Sequence, residues 1–154
     1  MSNPRVSYED FRSLAPAAYA ALVSLGKTAH EAGLENDLAE LVKIRASQIN
    51  GCAFCLQLHL NRARALGVAA AKLDLVGVWR DAGVFSERED AALAWTEALT
   101  RLEGEAAQDE AWARLREHFS EAHAVALTVA IGVINSWNRI AGPLRFAPPV
   151  EGRR

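Results

Sequence analysis

Cys52, Cys55 and His59 lie in the run Asn50-Gly51-Cys52-Ala53-Phe54-Cys55-Leu56-Gln57-Leu58-His59, and the chain has no other cysteine. On a helix of about 3.6 residues per turn, offsets of three, four and seven fall on one face. Cys55 then has a second thiol one turn before it and an imidazole one turn after it. A thiol reacts as its thiolate. A base beside it and a partner thiol able to close a disulfide are therefore what a redox-active dithiol requires.

Glu40 is the candidate for the group behind the imidazole. Asn50-Gly51 signals a chain reversal, with Glu40 ten residues before Asn50 and His59 nine after it. In an antiparallel helix pair rising about 1.5 Å per residue, the two stand at nearly equal height. Glu40 can then orient His59, and His59 can take the proton of Cys55. Cys52, near a helix N-terminus that favours its anion, can resolve oxidised Cys55.

Each residue alone has a plainer reading. Glu40, three positions after Asp37, fits a capping box or a surface ion pair with Lys43. A lone histidine is more often structural than catalytic, and free cysteines are commonly buried as small hydrophobes. Zinc needs four ligands; no second cysteine pair exists, and His30, His118 and His123 are scattered. His118 and His123 fall at a helix end and a helix start, where exposed or capping roles are expected. The combined spacing favours chemistry over all of these.

The elements that must position these groups read as helices throughout. Ser7 begins a short helix, and Pro16 sits in the first turn of a second that runs to Gly33. Asp37 opens a third, striped by Leu38, Leu41 and Val42, and a helix from about Gly51 to Ala65 carries the dithiol. One helix or two short ones follow from Val68 to Asp81, closed by Gly83. Ser86 and Glu89 form a capping-box pattern before the stripe Ala91, Trp95, Ala98 and Leu102. A further helix spans about Gln108 to His118, and Ser120 caps a last long one ending near Gly142-Pro143. Val125, Val129, Ile131, Val133 and Ile134 surround that last helix, so it must be buried centrally or against another subunit. Trp79, Trp95, Trp112 and Trp137 read as core or interface residues, one of them able to wall a pocket above the thiols.

The totals suit one domain over residues 1–150 with a disordered tail at 151–154. A chain of 154 residues buries about two-thirds of its unfolded surface. The net charge of -2 without charge blocks gives no nucleic-acid stripe and no polybasic membrane anchor. Met1 to Arg5 carries no apolar leader, and the apolar run Ala124–Ile134 is short of the roughly 20 residues that cross a bilayer. The cytoplasm is the expected location, where a Cys-x-x-Cys is redox, catalytic or metal-binding rather than a structural disulfide.

The run from Glu40 to His59 resembles the signature of the AhpD-like alkylhydroperoxidases, in the carboxymuconolactone decarboxylase family. That signature is a glutamate, eleven residues, Cys-x-x-Cys, three residues and a histidine, and every spacing matches. The resemblance is densest over about residues 38–62 and extends to Trp79–Thr100 and to Ile134–Arg139. It implies an all-α, AhpD-like helical domain with an orthogonal or antiparallel bundle, assembled as a homo-oligomer, a trimer or hexamer. It also implies thiol-dependent reduction of hydroperoxides, with Cys55 as the peroxidatic thiol, Cys52 as the resolving thiol, and Glu40 with His59 as the proton relay. Phe54 departs from the pattern, since the peroxidase type has a histidine there. Decarboxylase members lack the cysteine pair.

The expected activity is thus peroxidase chemistry fed by an external dithiol reductant, with no metal, flavin or nicotinamide motif in the chain. Two rivals remain. One is decarboxylase or isomerase chemistry on a small acid, carried by His59 and Glu40. The other is a non-enzymatic redox-sensing module whose disulfide alters its oligomer.

Overall fold

Serine and proline open four of the helices. In the computed structural model, which describes residues 3–150, the Ser7 hydroxyl accepts the Asp10 N–H to start α1 (Tyr8–Leu14). Pro16 occupies the first turn of α2 (Pro16–Glu31), where its missing N–H needs no partner. After α3 (Asn36–Ile49), α4 (Ala53–Ala65), α5 (Ala70–Leu75), a 3₁₀ turn (Val76–Val78) and α6 (Trp79–Ala82), Ser86 and Glu89 form a full capping box on α7 (Glu87–Arg101). Following α8 (Glu105–His118), the Ser120 hydroxyl accepts the His123 N–H to start α9 (Glu121–Leu144). No strand occurs among the described residues, so the fold is all-α. The expected tail, residues 151–154, lies outside them.

Several boundaries differ from the sequence expectation, each for a local reason. α3 begins at Asn36, with Glu35 extended before it, and the Asp37 carboxylate accepts only the adjacent Leu38 N–H. α4 begins at Ala53 rather than Gly51, because Cys52 is extended and caps it with sulfur. α8 starts at Glu105; the Gln108 side chain, expected to open it, instead donates to the Glu103 carbonyl at 2.6 Å. Leu102 leaves the α7 stripe as a left-handed cap, 77% exposed. α9 runs past Pro143 to Leu144.

α3 is the hub of three cores. Leu38 and Val42 pack with Trp95, Leu115, Leu127 and Ile131. Leu41 and Ile44 pack with Leu73, Val76, Trp79 and Leu93. Ala46 joins Cys52, Phe54, Cys55, Ile134 and Phe146 around the sulfurs. Leu41, Val42 and Ile44 are wholly buried, and each such side chain stabilises the fold by about 1.5–3 kcal/mol. α9 has 24 residues and a most apolar 18-residue window with mean hydropathy 1.3. By length and composition it could cross a bilayer, unlike the shorter Ala124–Ile134 run. Half of that window is buried here, where α9 packs against α2, α3, α4, α7 and α8.

Candidate functional site

α3 and α4 form an antiparallel pair around Asn50 and Gly51, the glycine taking the left-handed φ of 65° that the reversal needs. The reversal is tied to α9: the Asn50 amide donates to Asn135 Oδ1 at 3.0 Å and to Asn138 Oδ1 at 2.9 Å. Asn138 in turn donates to the Ser47 hydroxyl at 3.1 Å. Two helices and the turn between them are thereby fixed against a third. Cys52 follows directly as the cap of α4, its Sγ accepting the Cys55 N–H at 3.3 Å. Both sulfurs are reduced and buried.

Across the pair, the His59 Nδ1–H donates to Glu40 Oε2 at 2.6 Å, and Lys43 Nζ donates to Glu40 Oε1 at 2.8 Å. Both carboxylate oxygens are used, and Glu40 and His59 are each 6% exposed. Glu40 caps no helix here. Its ion pair with Lys43 coexists with the contact to His59, so those two sequence readings were not alternatives. Burial works against the Glu40 charge, but the hydrogen bond and charge of His59, with Lys43, hold its carboxyl at about 2. Burial pushes His59 below its ordinary value despite Glu40. A neutral imidazole donating from Nδ1 has Nε2 left as an acceptor, the form of a base.

The sulfurs behave as one unit. A hydrogen bond from the Cys55 thiol stabilises the Cys52 thiolate; burial opposes this, while the Cys55 and Phe54 N–H groups and the Asn138 amide add to it. Together they bring Cys52 down to about 7. Cys55 is pushed up, because it gives that hydrogen bond, is buried and faces the Cys52 charge. The first proton therefore leaves the pair from Cys52, and Cys55 holds the second. The sequence reading favours the Cys52 anion through the helix N-terminus and passes the Cys55 proton to His59; the bond between the two sulfurs is the part it lacks.

Access runs the other way. A cavity of about 290 Å³ is walled by Cys55 and His59 but by neither Cys52 nor Glu40. Tyr8, Tyr19, Phe54 and Trp137 add aromatic walls, and Phe54 stacks near Tyr8 and Phe146, with ring centroids 5.2 and 5.4 Å away. Among the described residues, no group of three His, Cys, Asp or Glu side chains is placed to hold a metal ion. His118 ends α8, and His123 donates to the Ala32 carbonyl at 3.1 Å. Sequence reasoning missed Asn138, Ser47, Tyr8 and Tyr19 as site residues. Asn138 was within a segment already singled out, Ile134–Arg139, whereas nothing in the spacing of Tyr8 points to the cysteines.

Comparison with known proteins gives the family and the fold. The profile of the carboxymuconolactone decarboxylase family matches residues 16–98. An uncharacterised protein of Bacillus subtilis (strain 168), YdfG, is 36% identical over 137 residues, covering 89% of this chain and 91% of that protein. A crystal structure from Agrobacterium tumefaciens superposes with a TM-score of 0.89 at 40% identity, covering 97% of this chain and 100% of that one. That protein has unknown function and carries the provisional description of an antioxidant defence protein, AhpD. The debrominase Bmp8 shares the fold at 20% identity and a TM-score of 0.77, covering 90% of this chain and 74% of its own.

Proposed function

Since the chain belongs to the carboxymuconolactone decarboxylase family, and to its AhpD-like members, we propose that it is a thiol-dependent peroxidase acting on hydroperoxides. The observation that carries this reading is the pairing at the cavity. Cys55 and His59 line it, Cys52 lies behind with its sulfur accepting the Cys55 backbone N–H at 3.3 Å, and Glu40 holds the imidazole at 2.6 Å. The Agrobacterium relative's provisional description as an antioxidant defence protein points the same way.

Cys55 attacks the terminal oxygen of the peroxide once its proton has passed to Cys52 or to Nε2 of His59. An S–O bond forms, the O–O bond breaks, and Cys55 is oxidised by two electrons to the sulfenic acid. The departing alkoxide takes the proton that Cys55 gave up and leaves as the alcohol. The Cys52 thiolate then attacks the sulfenic sulfur, and the expelled hydroxide is protonated to water. An external dithiol returns two electrons and two protons to the disulfide. Glu40 keeps His59 in the tautomer that can accept and return a proton.

A cytoplasmic setting, where the pair starts reduced, and assembly as a homo-oligomer, a trimer or hexamer, complete the reading. The assembly is supported by the outward line of α9, where Val125 is 53% exposed and the exposed Gly132 and Ser136 continue the same side of the helix. The test is peroxide consumption with dihydrolipoamide, thioredoxin, glutathione or dithiothreitol as reductant. Wild type should turn over with at least one of them and Cys55→Ser with none. Turnover that survives Cys55→Ser would move the activity to His59 and Glu40.

A further inference from the structure

The cavity is charged in one sense only. The chain carries 19 acidic and 17 basic side chains, yet Lys27, Lys43 and Arg62 are on the cavity wall and no aspartate or glutamate is. Lys43 is committed to Glu40 at 2.8 Å. Lys27 and Arg62 are exposed, and among the described residues neither side chain has a hydrogen-bond or ion-pair partner. The Arg62 charge nevertheless reaches inward, acting on both His59 and Tyr8. The buried Cys55 and His59, 2% and 6% exposed, mark its deep part. The rest of the wall is mostly apolar, with Leu22, Val23, Leu58, Val133, Ile134 and Trp137 beside the two tyrosines.

Hydrogen peroxide is little larger than water, whose share of liquid volume is about 30 Å³; a cavity of about 290 Å³ is far too large for it. Apolar walls with a few polar groups at fixed points select an organic ligand and its orientation. Lys43 is taken by Glu40, and the Tyr8 hydroxyl donates to that of Tyr19 at 3.3 Å. The polar groups left free are therefore a sulfur and an imidazole at the floor and two unpaired cations at the rim. Building on the peroxidase reading, we propose that the substrate class is an organic hydroperoxide bearing a carboxylate. Its apolar body fills the cavity, its peroxide group meets Cys55, and its carboxylate is held by Lys27 and Arg62. The guanidinium of Arg62 suits a carboxylate through paired N–H donors.

The test compares cumene hydroperoxide with its para-carboxylate and the methyl ester of that acid, using dithiothreitol as reductant. Two partly exposed charge pairs predict a kcat/KM about tenfold higher for the acid than for the ester. Added salt should shrink that ratio, and Lys27→Gln/Arg62→Gln should bring it close to one. A second measurement needs no turnover: 4-isopropylbenzoate should protect Cys55 from iodoacetamide in wild type but not in the double variant, and 4-isopropylbenzamide should protect neither. Equal rates for acid and ester, or protection by benzoate and benzamide alike, overturns the anion site while leaving the peroxidase intact. A preference that survives in the double variant overturns its assignment to these two residues. Failure to consume any hydroperoxide overturns the peroxidase reading instead, and the protection experiment then decides the anion site by itself.

Discussion

Two sulfurs that share one proton separate two properties often assigned to one residue. Cys52 takes the first negative charge because it is surrounded by donors: the Cys55 thiol, two backbone N–H groups and the Asn138 amide. Cys55 has the exposure to the cavity. Thiolate absorbance of the reduced protein should rise through about pH 7 for one sulfur only, the second ionising far above it. Asn138→Ala removes a donor from both sulfurs, so that first step should move to higher pH. In a Cys52→Ser background Cys55 depends on His59. His59→Ala should then slow iodoacetamide labelling of Cys55 at neutral pH, and Glu40→Gln should slow it less. Superimposable pH profiles for the three proteins would remove Glu40 and His59 from the proton path. The residue types, their spacing and the pull of a helix N-terminus on the Cys52 anion were legible in the sequence, but the donor set behind the proton sharing was not. It depends on the Cys52 backbone being extended, which turns a cysteine expected inside a helix into that helix's cap.

The α3–α4 pair is only as well placed as the turn that joins it. Gly51 has φ 65° with nothing within 4 Å of where a Cβ would stand. Gly51→Ala should therefore cost only backbone strain, about 1–2 kcal/mol. Asn50→Ala removes both bonds to α9 and leaves the buried Asn138 Oδ1 short of a donor, while Asn135 Oδ1 keeps Arg139 at 2.8 Å, a loss of about 1–3 kcal/mol. Urea unfolding measures both; an Asn50→Ala protein as stable as wild type would show that the tie to α9 holds nothing. Asn50-Gly51 announces the turn in the sequence, and Ser7, Ser86 and Ser120 announce three helix starts, because each signal acts within four residues. The asparagine ties could not be read that way. Asn50 and Asn138 are 88 residues apart and meet only once α9 has packed.

At the scale of the whole molecule, a buried carboxylate outside the site clamps α3, α6 and α7 together. Glu97, 1% exposed, accepts from Arg45 at 2.7 Å, Trp79 at 3.0 Å and Arg101 at 3.0 Å, and from Arg80. Burial opposes its charge, but the bonds from Arg80, Trp79 and Arg45 hold it at about 2, against an ordinary 4.5. Because the folded value is depressed, the stabilisation is complete above pH 4.5 and fades as pH falls toward 2. Glu97→Gln should cost about 3 kcal/mol at pH 7 and flatten the dependence of stability on pH below 4.5. An unchanged slope would show that the clamp is not what acid breaks. The sequence gives no hint of this centre, since its partners are scattered from Arg45 to Arg101. The apolar circumference of α9 was legible, and the fold covers most of it; the exposed Val125 line is the remainder. Light scattering should find an oligomer at micromolar concentration, and a stable monomer of 16.7 kDa would contradict the proposed assembly.

The most direct measurement is a single turnover. Fully reduced protein, mixed anaerobically with one equivalent of cumene hydroperoxide and no reductant, is quenched with acid and analysed by mass spectrometry. The account predicts one alcohol released per chain and a Cys52–Cys55 disulfide that dithiothreitol reopens. Both thiols still reduced, or overoxidised Cys55 beside a free Cys52, would contradict it.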